Sequence, residues 1–430
     1  MKVETKFPTT KAMFCLKVLA LLLLLLARPL SAQELQQAQP AMFLHANDRF
    51  GVNLLNIVHE EAPDRNIAIA PLPVSLTFAA VLDGSNDSQN NKEIVSTFQW
   101  ERNFSLDIAA RMLLSRFGKP KPYPARNSTP AQKGRAHALE KFRPGKPEEM
   151  WLSTAFLYRG ENSLSRVFID RVRYFFGFDF REVGMNAPQS DILARNWDSS
   201  LPMPAITDPN DFWITSFLYL RAFWWGNTFK ESKREKHDFK IRSGSTAQAD
   251  FLTSETKSYP YIQTKEFEAI VLPCWEASML LVLPEPDSDI SQLLSSMVKD
   301  PGMIESLLRR HQGDVQLPLF HFSYEANFRE PLEKMGIHRI FHDNGTLLAM
   351  APERSGGILQ GVAQISEIAV DEHGIRADAG TTAGGIFGGI ESIQTSPFHM
   401  ILNRPFLFLI RDSATNALLF SGVVMNPIAR

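Results

Sequence analysis

The segment from Glu372 to Thr395 constrains this chain more than any other, because it joins a loop's composition to a strand's pattern. It is dominated by Gly, Ala and Thr, and no proline occurs between Asp371 and Ser396. Small side chains anchor nothing, so the composition predicts an exposed, mobile connection. Yet Ile375, Ala377, Ala379 and Thr381 fall on one side of a period of two, with Arg376 and Asp378 on the other. That is how a strand sorts its two faces. It is a loop carrying a strand's pattern.

The flanking sequence reads as one mixed domain. Asp48 to Val58, Pro73 to Leu82, Leu106 to Phe117 and Leu164 to Phe176 carry apolar residues at helical spacing. Strand-like runs dominate from Trp151 onward: Trp151 to Tyr158, Ile214 to Trp225, Ala269 to Leu272, Met279 to Leu283, Gln316 to Phe322 and Val362 to Asp371. The C-terminus reads as a hairpin, Phe406 to Ile410 and Leu418 to Met425, across the polar turn Arg411 to Asn416. Helices come early and strands late without regular alternation. This predicts an α+β fold on antiparallel sheets, not a doubly wound one, although 430 residues would allow two or three domains.

Several function classes are excluded by what the chain carries. With 45 basic and 47 acidic residues it lacks the cationic footprint of a nucleic-acid binder. It has no GxSxG, no HExxH and no P-loop lysine, and the glycines at 380, 384, 385, 388 and 389 lack a strand-turn-helix context, so neither an enzyme nor a cofactor or metal site is expected. Four lysines precede the apolar run Val18 to Ala27, which is followed by a small-residue cleavage site at Ser31-Ala32. Ten apolar residues cannot cross a bilayer that needs about 20, so residues 1–32 are expected to be a secretory signal peptide and 33–430 a single domain without membrane insertion. Secretion leaves Cys274 alone, in an apolar setting that predicts a packed thiol and no intramolecular disulfide. Asn86, Asn103, Asn127 and Asn344 are sequons for a eukaryotic secretory route. Residues 118–149 hold six prolines and form a basic insertion after the third predicted helix. Its Lys119, Lys121, Arg126, Lys133, Arg135, Lys141, Arg143 and Lys146 are candidates for binding a heparin-like polyanion, with a solvated surface insertion as the plainer reading.

Four motifs in one order resemble the serpin family over residues 42–430. They are Asn66 to Pro71 running on to Gly84, Val315 to Phe320 followed by Leu332 to Gly336 and Phe341, Asp371 to Gly374, and Asn403 to Phe408 with Phe420 to Pro427. The resemblance implies three sheets, eight or nine helices, and a reactive loop within 372–398 whose hinge is Glu372, Gly374, Ile375, Ala377, Ala379 and Thr381. It also implies a monomeric suicide inhibitor. A target protease attacks the loop and forms an acyl-enzyme, and the freed loop enters the large sheet as a new strand of roughly 15 residues and 50 Å.

This chain departs from the pattern in places. Ile375 stands where the family has Thr or Ser. The polar gate beneath the large sheet is replaced by Ala70 and Pro73 for serines, Gln364 for a histidine and, to within one residue, Phe217 for an asparagine. Asn186 to Asn210 is short and Pro-rich where the family has a longer helix, with Trp197 its remnant. Counting forward from the hinge places the reactive bond among Phe387, Gly388 and Gly389, with bond 387–388 first. Counting back from Asn403 gives Gln394, so the loop is longer than usual. No Lys or Arg lies between Arg376 and Arg404, which points to chymotrypsin-, elastase- or subtilisin-like proteases, or cysteine proteases that prefer apolar residues. The alternative is a non-inhibitory relative acting as a small-molecule carrier or chaperone.

Overall fold

A computed structural model describes residues 32–101, 105–115, 149–158, 164–182, 211–226, 228–242, 244–286, 288–343, 345–352, 357–375 and 396–429. Helix α1 (Ala32–Glu61) leads into strand β1 (Ile67–Ile69), helix α2 (Pro71–Gly84), α3 (Ser88–Phe98) and α4 (Leu106–Leu114). Local chemistry sets several of these ends. Ala70 is extended and Pro71 opens α2, where a missing N–H costs nothing. Asp87 caps α3 by accepting from the Gln89 and Asn90 amides at 2.8 Å each. Apolar on nearly every face, α2 is buried from Pro71 to Val81. It packs against strands of both sheets.

Strands follow: β2 (Glu149–Tyr158), then helix α5 (Arg166–Phe176), β3 (Asp179–Glu182), β4 (Asp211–Phe223), β5 (Phe229–Lys240), β6 (Thr246–Ser254), β7 (Lys257–Gln263), β8 (Phe267–Pro273) and β9 (Ala277–Pro284). After α6 (Ile290–Lys299) and α7 (Met303–Leu307) come β10 (Arg309–Pro318) and β11 (Phe320–Asn327). The chain closes with α8 (Arg329–Lys334), α9 (Arg339–His342), β12 (Ile358–Val370), β13 (Gly374–Ile375), β14 (Phe398–Ile401), β15 (Phe406–Asp412) and β16 (Leu418–Val424). These make nine helices among the described residues.

Among the described residues, two hydrogen-bonded sheets organise the molecule. The larger runs β1-β16-β15-β9-β8-β7-β10-β6-β5, with β14 joined to β10. The smaller runs β11-β12-β13-β4-β2-β3. The resemblance implied three sheets, but β10 pairs with β6, β7 and β14 at successive positions and fuses two of them. Most ladders are antiparallel as expected. Those of β4 with β12, β2 with β3 and β10 with β14 are parallel. The predicted hairpin is the centre of the core: every residue of β15 and β16 is buried.

The single strand expected over Gln316 to Phe322 is two strands in different sheets. Burial falls on Gly313, Val315 and Leu317, then switches to Phe320, Phe322 and Tyr324. The apolar run across the switch conceals this change of face, and at the break the Leu319 amide donates to the Asp250 carbonyl at 2.8 Å. Strand β5 escaped the pattern reading for another reason. Its Lys- and Glu-rich sequence suits an exposed sheet edge that carries charges against mispairing.

Candidate functional site: a seam in the six-stranded sheet

Strands β4 and β12 lie side by side in parallel from Ile358 opposite Asp211 to Gln364 opposite Ser216. Beyond Gln364 the two part, and β13 sits between their far ends. Ile375 pairs with Val370 on one flank and Ala222 on the other. The first residues after the hinge turn therefore already occupy the seam, and Ile375, bulkier than the family's Thr or Ser, is 4% exposed there.

A tight turn delivers the chain to this place. The Asp371 carboxylate accepts from the amides of His373 (2.8 Å) and Gly374 (3.2 Å), and the Asp371 amide donates to the Gly374 carbonyl at 3.0 Å. Trp224 secures the same turn, donating from its indole to the Asp371 carbonyl (2.8 Å) and from its amide to the His373 carbonyl (3.1 Å). Gly374 has φ +154°, and a Cβ there would stand 2.2 Å from the Ala222 carbonyl oxygen. Only glycine passes so close to β4. Glu372 and His373 lie at the outer side of the turn, His373 exposed.

Under the closed part of the seam, the gate positions take an arrangement that pattern reasoning missed. The Gln364 side chain accepts from the Ala70 amide (2.7 Å) and donates to the Ala70 carbonyl (2.8 Å). This reciprocal pair joins the last closed rung to the N-terminus of α2, and Gln364 is 2% exposed. Ser216, not Phe217, is its neighbour on β4, with Gln364 Nε2 and Ser216 Oγ 3.5 Å apart. The one-residue offset in register is thereby resolved. The hydroxyl lacking at Ala70 and Pro73 appears two residues on: Ser75 donates to Asn47 Oδ1 at 2.9 Å, and Asn47 donates to the Leu418 carbonyl at 3.2 Å. Asn47, 0% exposed between Ala46 and Phe50 in an apolar helical stripe, was the available signal.

The top of β4 is tied to the ten-stranded sheet. Trp224 bridges Cys274, the Trp275 amide donates to the Phe223 carbonyl at 3.0 Å, and the rings of Trp225 and Trp275 stand 4.3 Å apart. Cys274 is buried as expected, and burial pushes its thiol well above the ordinary range, which leaves no reactive thiolate. On the far side of the loop, Phe398 stacks flat on Tyr261 at 3.9 Å and His399 pairs with Asp314, fastening β14 to β10. Ile375 is thus in the six-stranded sheet and Phe398 in the ten-stranded one.

Of the other predicted site residues, Asn86 is exposed between α2 and α3. Ala377, Ala379, Thr381, Phe387, Gly388, Gly389, Trp197, Asn103, Asn127, Asn344 and the eight cationic candidates from Lys119 to Lys146 lie outside the described residues. The helix before the basic insertion is present as α4, and Arg111 on it lies 4.8 Å from the centre of the Tyr174 ring on α5.

A family model described as Serpin (serine protease inhibitor) matches residues 45–427. Serpin-Z7 of Hordeum vulgare is 27% identical over 254 residues, covering 56% of this chain and 62% of that protein. Serpin A12 of Mus musculus is 23% identical over 412 residues, covering 93% and 92%. The chain spans about three fifths of the length of the plant relatives it matches, 62% of Serpin-Z7 and 59% of Serpin-ZXA of Oryza sativa. Among solved structures, thyroxine-binding globulin in complex with thyroxine superposes with a TM-score of 0.72 at 19% identity, over 89% of this chain and 99% of that one. Native protease nexin-1 with heparin gives 0.69 at 19% identity, over 90% and 100%. At such identity these structures speak for the fold alone.

Proposed function

The chain belongs to the serpin family, and on that premise we propose that it is a secreted protease inhibitor that traps its target by drawing the segment after Ile375 into the seam. The observation that carries this reading is the pairing of Ile375 on both flanks, because it sets the register of everything that follows. Continued downward, that register puts Ala377 between Ile368 and Leu220, Ala379 between Ser366 and Leu218, and Thr381 between Gln364 and Ser216. Ile368, Leu220, Ser366 and Leu218 are all buried. The small residues of the alternating pattern therefore arrive on the inner face, while Arg376 and Asp378 arrive on the outer one. A bulge at Gln360 shifts the pairing of β12 by one residue, after which the paired seam ends at Ile358 and Asp211, opposite Ile386. The sheet runs out one residue before Phe387, which supports cleavage at bond 387–388.

Attack by a serine or cysteine nucleophile on the Phe387 carbonyl forms an acyl-enzyme and releases the Gly388 amine. The freed segment then exchanges exposed backbone for two antiparallel ladders and carries the ester- or thioester-linked protease to the far end of the sheet. The absence of Lys and Arg between Arg376 and Arg404 favours proteases with an apolar pocket. A heparin-like polyanion on the basic insertion is a second partner. Protein retained on heparin but eluting early from a plain cation exchanger supports that partner, and equal elution from both removes it.

The inhibitor reading is tested by thermal melting of intact chain and of chain nicked between Gly384 and Ile393, together with a panel of proteases scored for SDS-stable complexes. A nicked form that melts well above the intact form, and a complex whose released fragment begins at Gly388, are expected. An unchanged midpoint means no insertion, and the carrier or chaperone reading then takes its place.

A further inference from the structure

Gln364 holds the seam from the inner face. A second contact holds it from the other side, lower down. Trp213 on β4 pairs with Gly361 on β12, one residue out of phase with the inward-facing Ile214 and Val362. It is 1% exposed but stands outside the main apolar core that Phe212 and Ile214 join. Its six-membered ring lies across the seam onto Gly361, where a Cβ would come within 2.4 Å of Trp213 Cζ3 and 2.7 Å of Cη2. The absent side chain is what lets the indole lie down.

On the β12 side this place is pinned. Asn327 Oδ1 accepts from the amides of Val362 (3.3 Å) and Arg329 (3.1 Å), and the Phe328 amide donates to the Val362 carbonyl at 2.9 Å. Arg329 donates to the Gln360 carbonyl and side chain at 3.4 Å each and to the Phe341 carbonyl at 2.8 Å, holding the bulge to the corner of β11 and α8. If the base of the seam is to open, β4 is the strand that moves, with β2 and β3 behind it. Admitting one strand widens the separation from about 4.8 Å to about 9.6 Å, and the indole then leaves Gly361.

We propose that Trp213 is a latch at the base of the seam: its indole on Gly361 holds β4 against β12, and its release sets how readily a strand runs to the bottom of the sheet. The inference rests on the insertion reading above. It makes Trp213 a positioning residue, engaged in the uncleaved chain and disengaged once the strand is in.

The test compares wild type with Trp213→Phe, which keeps an aromatic ring that reaches less far and leaves β12 untouched, and with Gly361→Ala, whose methyl would meet both the indole and Asn327 Oδ1. Each is melted intact and after nicking between Gly384 and Ile393. Both variants are expected to lower the intact midpoint by roughly 2–4 °C; Trp213→Phe should leave the nicked midpoint within about 1 °C of nicked wild type, and Gly361→Ala should lose less nicked than intact. The intact variants are also expected to convert on warming roughly fivefold faster. Equal losses in intact and nicked Trp213→Phe would mean an ordinary packing role and overturn the latch while insertion stands. Nicked wild type no more stable than intact wild type would instead overturn the insertion reading itself, and the latch with it.

Discussion

Replacing Gln364 by alanine removes both hydrogen bonds of the reciprocal pair at once. The Ala70 amide, on a residue 1% exposed, loses the side-chain oxygen that accepts from it at 2.7 Å. About 1 kcal/mol for the bond lost at the Ala70 carbonyl, plus about 1–3 kcal/mol for the buried Ala70 amide left unpaired, gives a loss of about 2–4 kcal/mol. Unfolding entropy of about 2.1 cal/mol/K per residue over the matched residues 45–427 is about 0.8 kcal/mol/K, so the intact chain should melt about 2.5–5 °C lower. Gln364→Met keeps the volume without the amide and should reproduce most of that fall, which separates hydrogen bonding from cavity formation. Ser216→Ala is the internal contrast. At 3.5 Å from Gln364 Nε2 its hydroxyl is at the limit of a hydrogen bond, and its loss should shift the midpoint by less than about 1 °C. Circular dichroism melts of the four proteins decide the matter. If Gln364→Ala and Gln364→Met melt with wild type, or if Ser216→Ala falls as far as they do, the assignment of the clasp to Gln364 and Ala70 is wrong.

Gly374→Ala should drive the hinge out of the seam, because the methyl meets the Ala222 carbonyl and a non-glycine residue at this φ costs about 1–3 kcal/mol. Limited trypsin digestion should then cut after Arg376 faster than in wild type, and an unchanged rate would place the hinge outside the seam. His59 is 1% exposed, with neither ring nitrogen hydrogen-bonded; burial first, and the charge of Arg242 second, hold its pKa below the ordinary value, against the opposing pull of Asp289 and Asp64. The unfolded chain binds that proton near pH 6.5 and the folded chain only lower, so the stability is fully present above about pH 6.5 and drains away as pH falls through the folded value. His59→Phe should flatten the melting midpoint against pH between about 7 and 5; a slope as steep as wild type's would assign the acid sensitivity elsewhere. Phe387→Arg should redirect trapping toward trypsin-like enzymes, measured as SDS-stable complex, and a wild type that already traps trypsin at Arg376 would refute the loop register.

Period and composition alone single out the segment from Glu372 to Thr395: small residues, no proline and a two-residue alternation join a loop's composition to a strand's pattern. The C-terminal hairpin is equally plain, since a strand buried on both faces reads as an unbroken apolar run, as Phe406 to Ile410 does. Four short motifs in one order carry the family. Where the chain changes sheet at Leu319 is hidden, because apolar residues on both sides of the break leave no alternation to count. Strand β5 is hidden by the charges that protect its edge. The gate is legible to within one residue, and only packing selects Ser216 over Phe217 as the neighbour of Gln364. Sequence exposes side chains and not carbonyls, and the partner of Gln364 is the backbone of Ala70, which no residue type announces. Neither could any local pattern reveal that Gly361 is bare because Trp213, distant along the chain, lies across it. Local periodicity determined most of the helices and strands and singled out the one segment whose composition and pattern disagree. Long-range packing decided how far the seam is already open, at Ile375, and what holds the rest of it shut, because those contacts join parts of the chain that share nothing until the sheets close.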